Sequence, residues 1–115
     1  MHFPLTAIFL GTGLAVAVAD RVPRLNIDPT CNAAAASGIA HDQSTRVCKQ
    51  DELTARDQLD KQWTQFPSAD KLRCVQVATM GGQPSYVELL TCLEMAREVR
   101  NLHSSDKSAP KGQSR

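Results

Sequence analysis

The sequence predicts an all-α fold: two disulfide-stapled helical hairpins packed as a small four-helix domain, with no sheet. Three observations predict it. Cys48, Glu52, Ala55, Leu59, Trp63 and Phe66 follow one another at steps of three and four, which is one face of a helix. Pro67-Ser68 and Gly81-Gly82-Gln83-Pro84 cut the chain into helix-length pieces. Four cysteines fall as one pair on each side of the chain's middle.

Met1 to Ala19 reads as a secretory signal peptide. Leu5 to Val18 is an apolar run, Ala17-Val18-Ala19 is a small-x-small cleavage pattern, and Asp20 is the first Asp, Glu, Lys or Arg. Met1-His2-Phe3-Pro4 lacks the usual basic residue. The run is shorter than the ~20 residues of a spanning helix, and no basic stop-transfer cluster follows it. The expected product is exported, periplasmic or extracellular, cut between Ala19 and Asp20, without stable membrane insertion. Thirteen Lys and Arg against 12 Asp and Glu leave a formal net charge of +1. That balance gives no basis for nucleic acid or acidic lipid as a partner. Aromatic residues are few, so the core must rest on Leu, Val, Ala and Met, and a core that small gains from disulfides.

The domain is expected over residues 20–102. Asp20 to Ile27 is an extended lead-in, because Pro23 disfavours helix before it. A first helix is expected over 29–40, with Asp28 as cap and Pro29 at the first helical position. The alternative is an Ala-rich arm held only by Cys31. A second helix is expected over 43–65, with Glu52–Arg56 and Asp57–Lys61 as acid-before-base pairs on an exposed face. Ser68 caps a third helix over 69–79, with Asp70 in its first turn. Val75 to Thr79 also reads as a short strand, but no second strand is visible to pair with it. Ser85 and Glu88 fit a capping box opening a fourth helix over 86–101, striped by Leu89, Cys92, Leu93, Ala96, Val99 and Leu102. Residues 103–115 lack apolar periodicity and read as a disordered tail.

Four cysteines allow three pairings. Cys31 and Cys48 are symmetric about the first predicted turn, and Cys74 and Cys92 about Gln83. Residues equidistant from the turn of an antiparallel hairpin lie side by side, within the about 7 Å between Cα atoms that a bridge needs. In an upright bundle Cys48 and Cys74 differ in height by roughly 20 Å, at 1.5 Å per residue. The spacing therefore pairs Cys31 with Cys48 and Cys74 with Cys92. The two hairpins then pack through the face of Leu59, Trp63 and Phe66.

Cys48-x-x-Asp51-Glu52-x-x-Ala55-Arg56-x-x-Leu59, then Trp63, then Ser85-Tyr86-Val87-Glu88-Leu89-Leu90 and Cys92-Leu93-x-Met95-Ala96-Arg97, form a recognisable pattern. It resembles a group of small exported bacterial proteins of uncharacterised function, over about Cys31 to Arg97. The resemblance implies a periplasmic, disulfide-containing helical protein, and it brings no activity and no site residue with it.

No catalytic, cofactor or metal residue is expected. Cysteine spacings of 17, 26 and 18, beside His41 and His103, lack the close pair of a structural zinc site. They also lack the two-residue gap of a redox dithiol. Glu52, Glu88, Glu94 and Glu98 read as solvated helix faces and caps. Arg56 and Arg97 each lie one turn beyond a core position and are placed to brace two helices, with plain surface charge as the simpler reading. Ser85 lacks a surrounding G-x-S-x-G, Gly81-Gly82 lacks a phosphate-loop pattern, and Lys107 and Lys111 are too sparse for a polyanion patch. The expected function is a non-catalytic secreted or periplasmic interaction protein with an envelope protein as partner. The alternatives are an apolar-ligand carrier lined by Leu89, Leu93 and Met95, and a small envelope enzyme or enzyme inhibitor. Two short hairpins leave little room for the several-hundred-Å³ pocket usual for small ligands.

Overall fold

The computed structural model describes residues 21–36 and 41–108. The expected signal peptide over 1–19, the first turn near residue 39 and the last residues of the chain lie outside them. Among the described residues the chain forms α1 (Asp28–Ala36), α2 (His41–Gln62), α3 (Ser68–Thr79) and α4 (Tyr86–Ser108), and no strand. Val75 to Thr79 is helical. Short 3-10 turns at Trp63–Gln65 and Met80–Gly82 follow α2 and α3. Gly81 and Gly82 both take left-handed backbone angles, φ 79° and 74°, which only glycine adopts without strain. The turn into α4 therefore needs both.

α1 packs on α2, α3 on α4, and α2 on α4. The core follows from the periodic faces. Ala55, Leu59, Trp63 and Phe66 from α2 and its end meet Cys74 and Ala78 of α3 and Tyr86, Leu89, Leu90 and Leu93 of α4. Leu59, Leu89 and Leu93 are fully buried. Each such leucine stabilises the fold by about 1.5–3 kcal/mol relative to exposure. Disulfides join Cys31 to Cys48 and Cys74 to Cys92, with Cα atoms 5.4 and 5.6 Å apart. That is the pairing the spacing predicts.

Several helix ends differ from expectation. Asp28 is not a cap but the first helical residue, because the helical hydrogen bonds begin one residue earlier: Cys31 N donates to Ile27 O at 2.9 Å, and Asp28 N itself donates to Asn26 Oδ1 at 3.2 Å. The Asp28 carboxylate lies 3.5 Å from Lys49 Nζ instead. Ser68 is likewise the first residue of α3 and not its cap. The cap position falls to Pro67, whose carbonyl accepts from Lys71 N at 3.0 Å. α2 starts at His41 and tightens to a 3-10 turn over Trp63–Gln65, within the span expected as α-helix. α4 continues past the expected end at 101 to Ser108, so residues 103–108 are helical where a disordered tail was expected. Once a helix is nucleated, adding one more residue is cheap even for Ser, Asp and Lys.

α1 is a docked helix, not an arm held only by Cys31. Its Ala35 is buried, and Thr30 Oγ1 donates to Pro84 O at 2.5 Å. Ahead of it, Leu25 N donates to Tyr86 Oη at 2.7 Å. Val22, Leu25 and Ile27 of the lead-in pack against the core.

Candidate functional site

The start of α4 is held by a carboxylate from another helix. Glu52 Oε1 accepts from Ser85 Oγ at 2.6 Å, and Oε2 accepts from the amides of Tyr86 at 2.6 Å and Val87 at 3.4 Å. Ser85 does cap α4, since its Oγ accepts from Glu88 N at 3.2 Å. The reciprocal half of a capping box is absent because Ser85 N donates to Ala78 O instead, at 3.2 Å. Glu52 is therefore not half of an exposed pair with Arg56: it is 3% exposed. The reason is positional. Glu52 sits on the buried face of α2, one turn from Ala55, and a negative charge there meets the positive end of α4.

Asp70 is the second buried carboxylate. Arg100 grips it with two hydrogen bonds, Nε to Oδ2 at 2.7 Å and Nη2 to Oδ1 at 2.9 Å. Arg73 Nη2 adds a contact to Oδ1 at 3.3 Å. The Arg100 hydrogen bonds hold the Asp70 carboxyl below its ordinary range, burial opposes them, and the charges of Arg100 and Arg73 act with them. The same hydrogen bond raises the Arg100 guanidinium. A forked pair of this kind fixes orientation as well as charge, so it ties the first turn of α3 to the far half of α4.

Arg97 braces two helices, where plain surface charge was the favoured reading. Its Nη1 donates to Gln62 Oε1 at 2.8 Å and its guanidinium stacks 4.3 Å from the Phe66 ring centre. Its Nη2 is buried without a hydrogen-bond partner among the described residues. Arg56 does not brace; its nearest acid is its chain neighbour Asp57, at 3.8 Å. Lys71 lies with Nζ 5.2 Å from the Trp63 ring centre, its stem buried on the core.

The side of α4 turned away from α2 forms, with α3, an open groove of about 800 Å³. Val77, Val87, Met95 and Val99 line it, with Asp70, Arg73, Glu88, Arg100 and His103 at its edges. A groove of that volume overturns the expectation that two short hairpins leave little room. Its lining also differs from the expected carrier site: Leu89 and Leu93 are wholly in the core, and of that trio only Met95 reaches the groove. Met95 is 63% exposed, Val99 52% and Val77 49%. This second stripe was readable in the sequence, as Val87, Thr91, Met95 and Val99 at steps of four. The sequence reading instead placed Val99, with Leu102, on the core stripe, and both are exposed, because the core face of α4 runs through Leu89, Leu90 and Leu93.

Among the described residues no three of His, Cys, Asp or Glu stand close enough to hold a metal ion, and no helix is long and apolar enough to cross a membrane. Comparison with protein families, curated proteins and solved structures gives no match.

Proposed function

We propose that this chain is an exported, non-catalytic interaction protein and that the groove between α3 and α4 is its contact surface. The observation that carries the reading is the exposed apolar stripe of Val77, Val87, Met95 and Val99 on a frame fixed by the Cys74–Cys92 bridge and the Asp70–Arg100 pair. Contiguous exposed apolar surface with a polar border marks contact sites on small proteins. The buried polar groups nearby, Glu52, Ser85 and Asp70, are engaged in holding helices together. All four cysteines are paired, which fits an oxidising compartment, and the Ala17-Val18-Ala19 pattern supports export with cleavage before Asp20. An envelope protein is the partner class consistent with that location.

A second reading, an apolar-ligand carrier, is favoured by one observation: the groove's volume lies in the range usual for small ligands. The experiment that separates the two places a photo-crosslinking residue at Met95, with exposed Leu53 on α2 as control, in the producing cell. Protein adducts at position 95 and none at position 53 are expected. Adducts to lipid or small molecules alone would favour the carrier, and no enrichment over position 53 would remove the groove as a contact surface.

A further inference from the structure

A separate pocket of about 600 Å³ lies where residues 21–25 run past the later part of α2 and the turn that follows it. We propose that it binds a small organic acid, with the guanidinium groups of Arg21, Arg24 and Arg56 and the hydroxyl of Tyr86 as donors to the carboxylate. The site shares no residue with the groove between α3 and α4 and does not rest on that groove's reading.

The lead-in is fixed in place, so its side chains form a wall. Val22 and Leu25 pack against the core, and Leu25 N donates to Tyr86 Oη at 2.7 Å. Arg21 and Arg24 both line the pocket from this anchored segment. Neither enters a hydrogen bond or an ion pair among the described residues. Arg56 lines it from α2. Its nearest acid, Asp57, stands 3.8 Å away with both side chains well exposed, a pair that binds weakly and leaves most of the guanidinium donors open. Guanidinium groups match the planar fork of a carboxylate.

Tyr86 selects the sign of the ligand. It is 4% exposed, and its oxygen accepts from the Leu25 amide. Its own proton has no acceptor among the described residues, although buried hydroxyls are as a rule satisfied. Three guanidinium groups and a hydroxyl proton at one pocket need an acceptor, which an anion brings and a cation does not. Asp60 is the one acid that lines the pocket. Counting Asp57 beside it still leaves three positive groups against two negative. Asp20, next along the chain, adds a carboxylate that the amino group freed by the proposed cleavage offsets. Lys71, with Nζ 5.2 Å from the Trp63 ring centre, adds further positive charge behind that wall.

The remaining lining selects an organic body. Val22, Pro23, Leu25 and the Trp63 ring are apolar, and the volume lies in the range usual for small ligands. A bare inorganic anion would leave that surface wet.

Titration of the purified, oxidised protein with benzoate, followed by nuclear magnetic resonance, tests this. The Leu25 amide and the indole of Trp63, the single tryptophan, are reporters within the site. Saturable shifts of both are expected. Benzamide, of the same shape without the charge, and inorganic phosphate, charged without the apolar body, should each bind about tenfold more weakly or worse. Arg21→Gln with Arg24→Gln, both at exposed positions, should cost benzoate about tenfold in affinity while the thermal melt is kept. Tyr86→Phe should weaken benzoate several-fold, and it retains the ring and the amide that Glu52 holds. Absence of saturable shifts with benzoate overturns the proposal, as does benzoate binding indifferent to the paired arginine change. Benzamide binding as tightly as benzoate would remove the anion, and phosphate binding as tightly would remove the organic body.

Discussion

Two buried carboxylates hold the helical frame together, and each does so through groups on another helix. Glu52 accepts from one hydroxyl and two amides at the start of α4. Glu52→Ala leaves the Tyr86 amide and the Ser85 hydroxyl without that acceptor in a closed site. The expected loss is about 3 kcal/mol in urea unfolding, since hydrogen bonds to charged groups are worth about 1.5–3 kcal/mol. Glu94→Ala, on an exposed turn of the same helix system, should stay within about 0.5 kcal/mol. Equal effects of the two would remove Glu52 as a cap. Asp70 makes a pH-dependent contribution. Its carboxyl is lowered from 3.8 on folding, so the pair with Arg100 stabilises fully above that value and is lost as pH falls through the lower folded value. The protein should melt above its Asp70→Asn variant at neutral pH, and the gap should begin to narrow as the pH falls below about 4 and close only below the lowered folded value. A gap that stays constant down to about pH 2 would show that the charge is not what counts.

At the scale of elements, the two bridges are close to a controlled pair. They close separations of 17 and 18 residues, so chain entropy gives each about the same stabilisation, roughly 3 kcal/mol. Their surroundings differ. Cys74 lies within the cluster of Leu59, Leu89 and Leu93, whereas α1 buries only Ala35 beside Cys31. Cys74→Ser with Cys92→Ser should therefore melt below Cys31→Ser with Cys48→Ser in a thermal scan, and the reverse order would show that α1 docking matters more. The breaks between elements were legible before the structure because Pro67 and Gly81-Gly82 act through their own backbones. The caps were less so. Ile27 stands where Asp28 was expected and Pro67 where Ser68 was, because one residue of difference in where the helical bonds begin decides a cap. The end of α4 was hidden for another reason: its last residues need no apolar pattern to continue a helix already formed.

For the molecule as a whole, the fold class and both bridges were readable from periodicity and from the symmetry of cysteine pairs about their turns. The partners of Glu52 and Asp70 were not, since they stand 34 and 30 residues away in sequence, and single-helix patterns carry no record of which faces meet. The groove was hidden in the same way, being made where the flanks of two helices come together. The placement of the bridges has one more consequence. Each closes within its own hairpin, none crosses between hairpins, and all four cysteines are used. The peptide link through Phe66 and Pro67 is then the only covalent tie between the halves. What else joins them is reversible, among it the apolar core, Glu52 on α4, Arg97 on Gln62, Leu25 on Tyr86 and Thr30 on Pro84. A single cut at that link would leave two covalently closed pieces, each retaining its own register, and the protein would behave as a matched pair of fragments that reassemble by recognition alone.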